Sequence, residues 1–216
     1  MFRRNEMISI LNHLAETMTE NRDKLIEMDS VVGDGDLGLT MSDGFTAAAQ
    51  AARESDETDI GKLFYGAGKK MSEAVPSTMG TLMAYGWMNV GKTYKGTAEI
   101  ESAALGGILD AYQQGVMKLG KAKLGEKTFL DGLQPAIDAF QAETAQGKTA
   151  CDAMRAAAKA AMDGAEHTKT MLAVHGRAAT RGENSRTLLD PGAYVAALMV
   201  QSICDTVCAL ESEKAL

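Results

Sequence analysis

Aromatic side chains are scarce in this 216-residue chain: one Trp, five Tyr and five Phe, or 5%. Val and Ile are also sparse beside Ala, which removes the residues that usually fill sheets. Only three prolines occur, Pro76, Pro135 and Pro191, so few segments are forcibly interrupted. Positive charge is short as well. The 22 Lys and Arg against 29 Asp and Glu leave a net charge of −7, with a pI near 5.0. That balance excludes the clustered basic surface wanted by nucleic acid or an anionic membrane. It leaves room for a phosphate ligand whose charge a metal could meet. No run reaches the roughly 18 apolar residues that span a bilayer. The opening "MFRRNEMISILNHLAE" turns amphipathic and acidic where a signal peptide would be apolar, so the chain reads as cytoplasmic. The three cysteines, Cys151, Cys204 and Cys208, form no CxxC pair. Cys204 and Cys208 fall one helical turn apart on an apolar run, and they read as buried reduced thiols.

What the chain does have is helix-forming material. Hydrophobic residues make up 45%, with 14 Met and dense Ala, side chains that lose little entropy in a helix. Ile8, Leu11, Leu14, Met18, Leu25 and Met28 recur at spacings of three, four and seven, which predicts one long helix over 5–28. Further helices are expected from about 38, over 57–74, 80–90 and 97–119, over 128–143 with Pro135 inside, and over 148–173 and 192–210. That makes eight helices in a single domain, 1–216, with no convincing strand. The mostly short connections suit antiparallel neighbours.

The strongest chemical signal is "DSVVGDGDLGLT", residues 29–40, where Asp29, Asp34 and Asp36 crowd among glycines. Carboxylates a few ångströms apart repel unless a cation neutralises them. An EF-hand would alternate its ligands through twelve residues ending in Glu, which is not the pattern here. Three carboxylates with positions left for water and phosphate oxygens suit Mg²⁺. A helix begins just after Asp36, so its free N–H groups would face the same place. The plainer alternative is an Asp-Gly turn that only caps a helix.

Four motifs in order, "VVGDGDLG", "GKAKLGEKT", "HGRAATRGENS" and "LDPGA", resemble the nucleotide-binding L subunit of bacterial dihydroxyacetone kinase over nearly the whole chain. The resemblance implies an all-α fold, a barrel of eight antiparallel up-and-down helices with the nucleotide site at one end. It implies ADP or ATP held through two Mg²⁺ ions bridged by three aspartates, here Asp29, Asp34 and Asp36. In the phosphotransferase-system version the nucleotide stays bound and is recharged by a phosphorylated M subunit. It then delivers phosphate to a ketone held on a K subunit. Carried over by position, Gly38 and Thr40 would offer backbone and hydroxyl donors to phosphates. Thr78 and Met79 would touch the nucleotide, and Gly120 and Phe129 would help form the adenine and ribose slot. Arg177 would reach the phosphates, while Asp190, Pro191 and Gly192 would close the pocket.

Two family histidines are replaced, by Leu37 in the first motif and by Leu188, after Thr187, before Asp-Pro-Gly. "PSTMG", residues 76–80, stands in place of a Gly-Gly-rich turn. With Leu37 and Leu188 at the phosphate end, the expectation is a paralogue that works only with its own K-type partner. No nucleophile arrangement can be argued within the chain. His13, His167 and His175 form no metal set, although His175 lies two residues from Arg177. Lys121, Lys123 and Lys127 could steer a polyphosphate or a partner, with a solvated loop face as the default. The expected function is a Mg-nucleotide subunit that passes phosphate to a small ketose. Rival readings are a kinase for a four-carbon ketose such as erythrulose, a nucleotide-carrying module docking on a transcription factor, and a metal phosphohydrolase. A homodimer is left open.

Overall fold

The computed structural model describes residues 1–214. Among them are ten α-helices: α1 (Arg4–Glu20), α2 (Arg22–Val32), α3 (Leu37–Glu54), α4 (Ile60–Ala74), α5 (Thr78–Thr93), α6 (Gly106–Gly120), α7 (Phe129–Ala145), α8 (Ala150–His167), α9 (Gly176–Ala179) and α10 (Pro191–Lys214). Helix α1 packs on α3, and the pairing continues through α4, α5, α6, α7 and α8 to α10, which packs back on α1. Eight helices thus close a ring around one core. Four stacked or tilted rings cross its middle. Phe64 of α4 lies parallel to Trp87 of α5 at 5.0 Å, Trp87 meets Tyr112 of α6 edge-on at 4.8 Å, and Tyr112 reaches Phe129 of α7 at 6.0 Å. The few aromatics are therefore concentrated where bulk is needed most, and Ala fills the tighter α8 and α10 contacts.

Several boundaries differ from the sequence reading. The 5–28 helix breaks at Asn21, whose backbone N–H and Nδ2 both bond the Thr17 carbonyl, at 3.1 and 2.9 Å. The apolar stripe continues across the break, so periodicity could not reveal it. The 97–119 helix begins only at Gly106. Ahead of it, strand β2 (Glu99–Ile100) pairs antiparallel with β1 (Phe2–Arg3), joined by an Arg3–Glu99 ion pair at 2.9 Å. The helix expected over 148–173 stops at His167, and α7 runs unbroken through Pro135.

The reading of Cys204 and Cys208 as a pair of reduced thiols is half corrected. Cys208 is joined to Cys151 in a disulfide that ties the first turn of α8 to α10. Spacing along α10 cannot show a partner 57 residues away. Cys204 is free and buried, and burial pushes its thiol up to about 11. Helix α10 is also long and apolar enough by composition to cross a membrane. Ala193, Val195, Ala196, Ala197, Val200 and Val207 are all fully buried against the other helices. It is one of the eight helices of the ring, packed on α1, α7 and α8.

Candidate metal centre and phosphate pocket

Helix α2 delivers Asp29 in its last turn and then lets go. The Gly33 N–H closes on the Asp29 carbonyl at 2.5 Å, and Gly35 takes a φ of +77°, which L side chains rarely adopt. The Asp29 carboxylate turns back over this loop, accepting the N–H of Gly35 at 2.8 Å and of Leu37 at 3.4 Å. Asp36 is the residue that opens α3, and its side chain caps nothing. Its carboxylate is left free beside the others. Asp29, Asp34 and Asp36 each offer an oxygen within 4.8 Å of the rest.

Electrostatics record the crowding. Burial raises the Asp36 pKa first, the charges of Asp34 and Asp29 raise it further, and Arg177 opposes them. Arg177, from α9, places its Nη2 2.5 Å from Asp34 Oδ2. A guanidinium therefore sits against the triad from the long loop 168–190. Hard oxygen donors, mutual repulsion and partial exposure fit a divalent cation that keeps open positions for water or phosphate.

The surroundings add donors. Helix α2 is held to α10 by Lys24 Nζ, which reaches Tyr194 Oη at 2.6 Å. It is held to α3 at Gly38, where a Cβ would come within 2.1 Å of the Arg22 carbonyl oxygen. Only glycine permits that approach. Thr40 is buried, its N–H bonds the Asp36 carbonyl, and its hydroxyl donates to Ser77 Oγ at 3.2 Å. In the free protein its hydroxyl is thus turned to Ser77. What it does is bring the start of α5 beside the triad, because Ser77 caps α5 through the Gly80 N–H.

From there the starts of two more helices join. A Cβ on Gly192 would lie 3.0 Å from Asp190 Oδ2, 3.3 Å from the Phe129 N and 3.6 Å from Met79 Cε. Met79, Phe129 and Asp190–Gly192 therefore meet at the N-termini of α5, α7 and α10. With α3, four helix N-termini converge near the acidic loop, each bringing a partial positive charge, although at α10 the Ala193 N–H is already taken by Asp190 and Pro191 has none. Thr78 is exposed on the first turn of α5. Gly120 ends α6 against Leu82, one turn further along α5.

Three side chains near the site are buried in the free protein. The Phe129 ring is buried against Tyr112 and offers no open shelf for a base; only its backbone faces Gly192. The Leu37 side chain is 6% exposed and packs with the core. Lys127 is the third case. A solvated loop lysine was the default, but it is 3% exposed and its ammonium is ringed by carbonyls. Its acceptors lie 41 to 61 residues away, and no local signal marks them. His175 pairs with Glu126 at 2.5 Å, while His13 contacts Ser202 of α10 at 3.0 Å on the flank of α1.

Asp190 is buried at the head of α10. Burial raises its pKa to about 7, while the Ala193 N–H and the Lys127 charge pull it down and Asp131 pushes it up. A raised folded-state value means stability that is present at low pH and lost as pH climbs from about 4 through 7. Between about pH 5.5 and 8 the wild type should lose about 2 kcal/mol through this group. Asp190→Asn keeps an acceptor for Ala193 and stays neutral, so its urea-unfolding free energy should lack that component. Parallel pH profiles for the two proteins would contradict it.

Residues 31–205 match the DAK2 domain family, and the chain belongs to it. It is 32% identical to the Listeria innocua protein named PEP-dependent dihydroxyacetone kinase 1, ADP-binding subunit DhaL, over 91% of this chain and 93% of that one. The corresponding Escherichia coli subunit is 26% identical, over 93% and 95%. An L-erythrulose 1-kinase of Mycolicibacterium smegmatis is 31% identical over 91% of this chain, which spans 34% of that enzyme. The fold matches the crystal structure of C. freundii dihydroxyacetone kinase, with a TM-score of 0.70 at 24% identity, covering 92% of this chain and 34% of that one. A second structure of that kinase is a complex with AMP-PNP and Mg²⁺.

Proposed function

We propose that this chain is the Mg-nucleotide-binding subunit of a multi-subunit dihydroxyacetone-type kinase, acting in the cytoplasm. The observation that carries this reading is the acidic triad set among converging helix N-termini with Arg177 against it. The ADP-binding subunits named above are matched across nearly their whole length, which supports the same division of labour here. Asp29, Asp34 and Asp36 would hold two Mg²⁺ ions, which when bound neutralise and align phosphate oxygens. The N–H groups opening α3, α5 and α7 would cradle the polyphosphate. Arg177 would leave Asp34 and offer its guanidinium to the same anion. Nothing in the chain would act as nucleophile, because catalysis of this kind is positioning and electrostatics and the acceptor is brought by the partner.

That partner would be a K-type subunit carrying the ketose, with an M-type phosphotransferase subunit recharging the nucleotide in the PEP-fed version. Val31, Leu39, Leu124 and Val174 are large apolar side chains left exposed on segments bordering the site, as a docking rim requires. A four-carbon ketose is the second reading, favoured by the likeness to erythrulose kinases. The test is phosphate transfer to dihydroxyacetone and to erythrulose with and without a K-type subunit. Transfer only with that subunit supports the reading, and the preferred ketose decides between the two substrates. Brisk phosphate release by this chain alone would favour a phosphohydrolase and overturn it.

A further inference from the structure

Arg177 lies in a segment, 168–190, with little structure to hold it. A 3-10 turn at Thr168–Thr170, the four-residue α9 and another 3-10 turn at Gly182–Ser185 are its regular parts. Few of its side chains are buried. Its two arms are bonded to each other, Ala173 N–H to Ser185 Oγ at 3.0 Å, Thr187 N–H to the Lys169 carbonyl at 3.0 Å and Arg186 Nη1 to the Thr170 carbonyl at 3.2 Å, but these bonds do not tie the arc to the rest of the pocket. We propose that Lys127 is a positioning residue whose ammonium pins both feet of this segment and thereby holds Arg177 over the acidic triad. The proposal rests on the nucleotide-binding reading for its consequence, though not for its geometry.

Lys127 Nζ donates to the carbonyls of Thr168 at 2.9 Å, Ser185 at 2.6 Å and Leu188 at 2.7 Å, with Met171 further off at 3.4 Å. Three protons meet three close carbonyls drawn from the start and the end of the segment. Arg177 stands in the arc between. An ammonium can satisfy several carbonyls from one point, which no neutral side chain of that size can do. Lys127 itself is held at a φ of +61°, an unfavourable conformation for a residue with a side chain. Its neighbours support the same anchor. The Glu126 carbonyl accepts the Val174 N–H at 3.3 Å, and the Glu126 carboxylate takes His175. The next residue, Thr128, caps α7 at the pocket. One short stretch thus fixes the α7 N-terminus and the Arg177 arc together, whereas the four carbonyls that Lys127 Nζ reaches all lie in 168–188 and none in the triad loop 29–37.

The test compares Lys127→Met and Lys127→Arg with the wild type, each also combined with Arg177→Ala. Readouts are trypsin cleavage after Arg177 and Arg181, calorimetry with Mg²⁺ alone and with Mg-ADP, and the thermal melt. Lys127→Met should speed cleavage at least tenfold and weaken Mg-ADP at least tenfold, while binding of Mg²⁺ alone stays within twofold. In the Arg177→Ala background the same change should weaken Mg-ADP less than twofold further, a coupling that loss of general stability would not produce. Lys127→Arg keeps the charge but not the single-point geometry, and should give a smaller effect of the same pattern if the Met variant does not fold. Wild-type cleavage and Mg-ADP affinity in a folded variant would overturn the proposal, as would an equal loss with and without Arg177. A wild type that binds no Mg-ADP would instead sink the functional reading, while the cleavage rates still judge Lys127.

Discussion

Asp34→Asn is expected to weaken Mg-dependent ADP binding roughly a hundredfold, about 2.7 kcal/mol, while leaving the helical content unchanged. The two halves of this expectation have separate causes. Asp34 is exposed, and its ion pair with Arg177 joins side chains that are 41% and 69% accessible. Such pairs contribute little to folding, and removing one of three mutually repelling carboxylates offsets part of that loss. Asp29 accepts two backbone N–H groups of the loop, so its replacement would disturb the loop as well as the charge. Asp34 is therefore the cleaner probe. Its loss removes a hard anionic ligand from a cluster whose only evident use is to concentrate negative charge for a cation. Circular dichroism and calorimetry on the same sample check both halves. ADP binding to the variant at wild-type strength, still enhanced by Mg²⁺, would show that the triad is not the metal centre.

The second large effect is on stability. The pocket draws on segments near residues 34, 79, 129, 177 and 190, which are joined in the free protein by few side-chain contacts at that end. A ligand bound only to the native state at a hundred times its dissociation constant adds about 2.7 kcal/mol. For a domain of this size each kcal/mol moves the melt by about 2–4 °C. Saturating Mg-ADP should therefore raise Tm by roughly 5–10 °C, and EDTA followed by dialysis should reverse it. The rise should be largely absent in Asp34→Asn. An unchanged melt with nucleotide demonstrably bound would contradict binding confined to the native state.

The acidic loop was legible because its signal is local: three like charges, glycines and a following helix lie within ten residues. The all-helical class followed from Ala and Met and from the shortage of aromatics and Val. Contacts between distant segments were not legible from composition or spacing. The Asp34–Arg177 pair spans the chain, and only the likeness of four ordered motifs brought Arg177 forward. Lys127 and the Cys151–Cys208 bond had no such help, since a buried lysine or a bonded cysteine looks locally like an exposed or free one. Thr40, Phe129 and Leu37 were assigned to the pocket by motif position. In the free protein their side chains pack on Ser77, Tyr112 and the core, contacts that no local pattern announces. Motif position fixes where a backbone runs more firmly than where its side chain points.

The most direct measurement of the central claim is native mass spectrometry of the intact chain in the presence of ADP, with and without Mg²⁺. The account predicts a species carrying one ADP and two Mg²⁺ ions, lost on chelation and absent in Asp34→Asn. A chain that stays at its bare polypeptide mass in saturating Mg-ADP, or binds ADP equally well without metal, would contradict it.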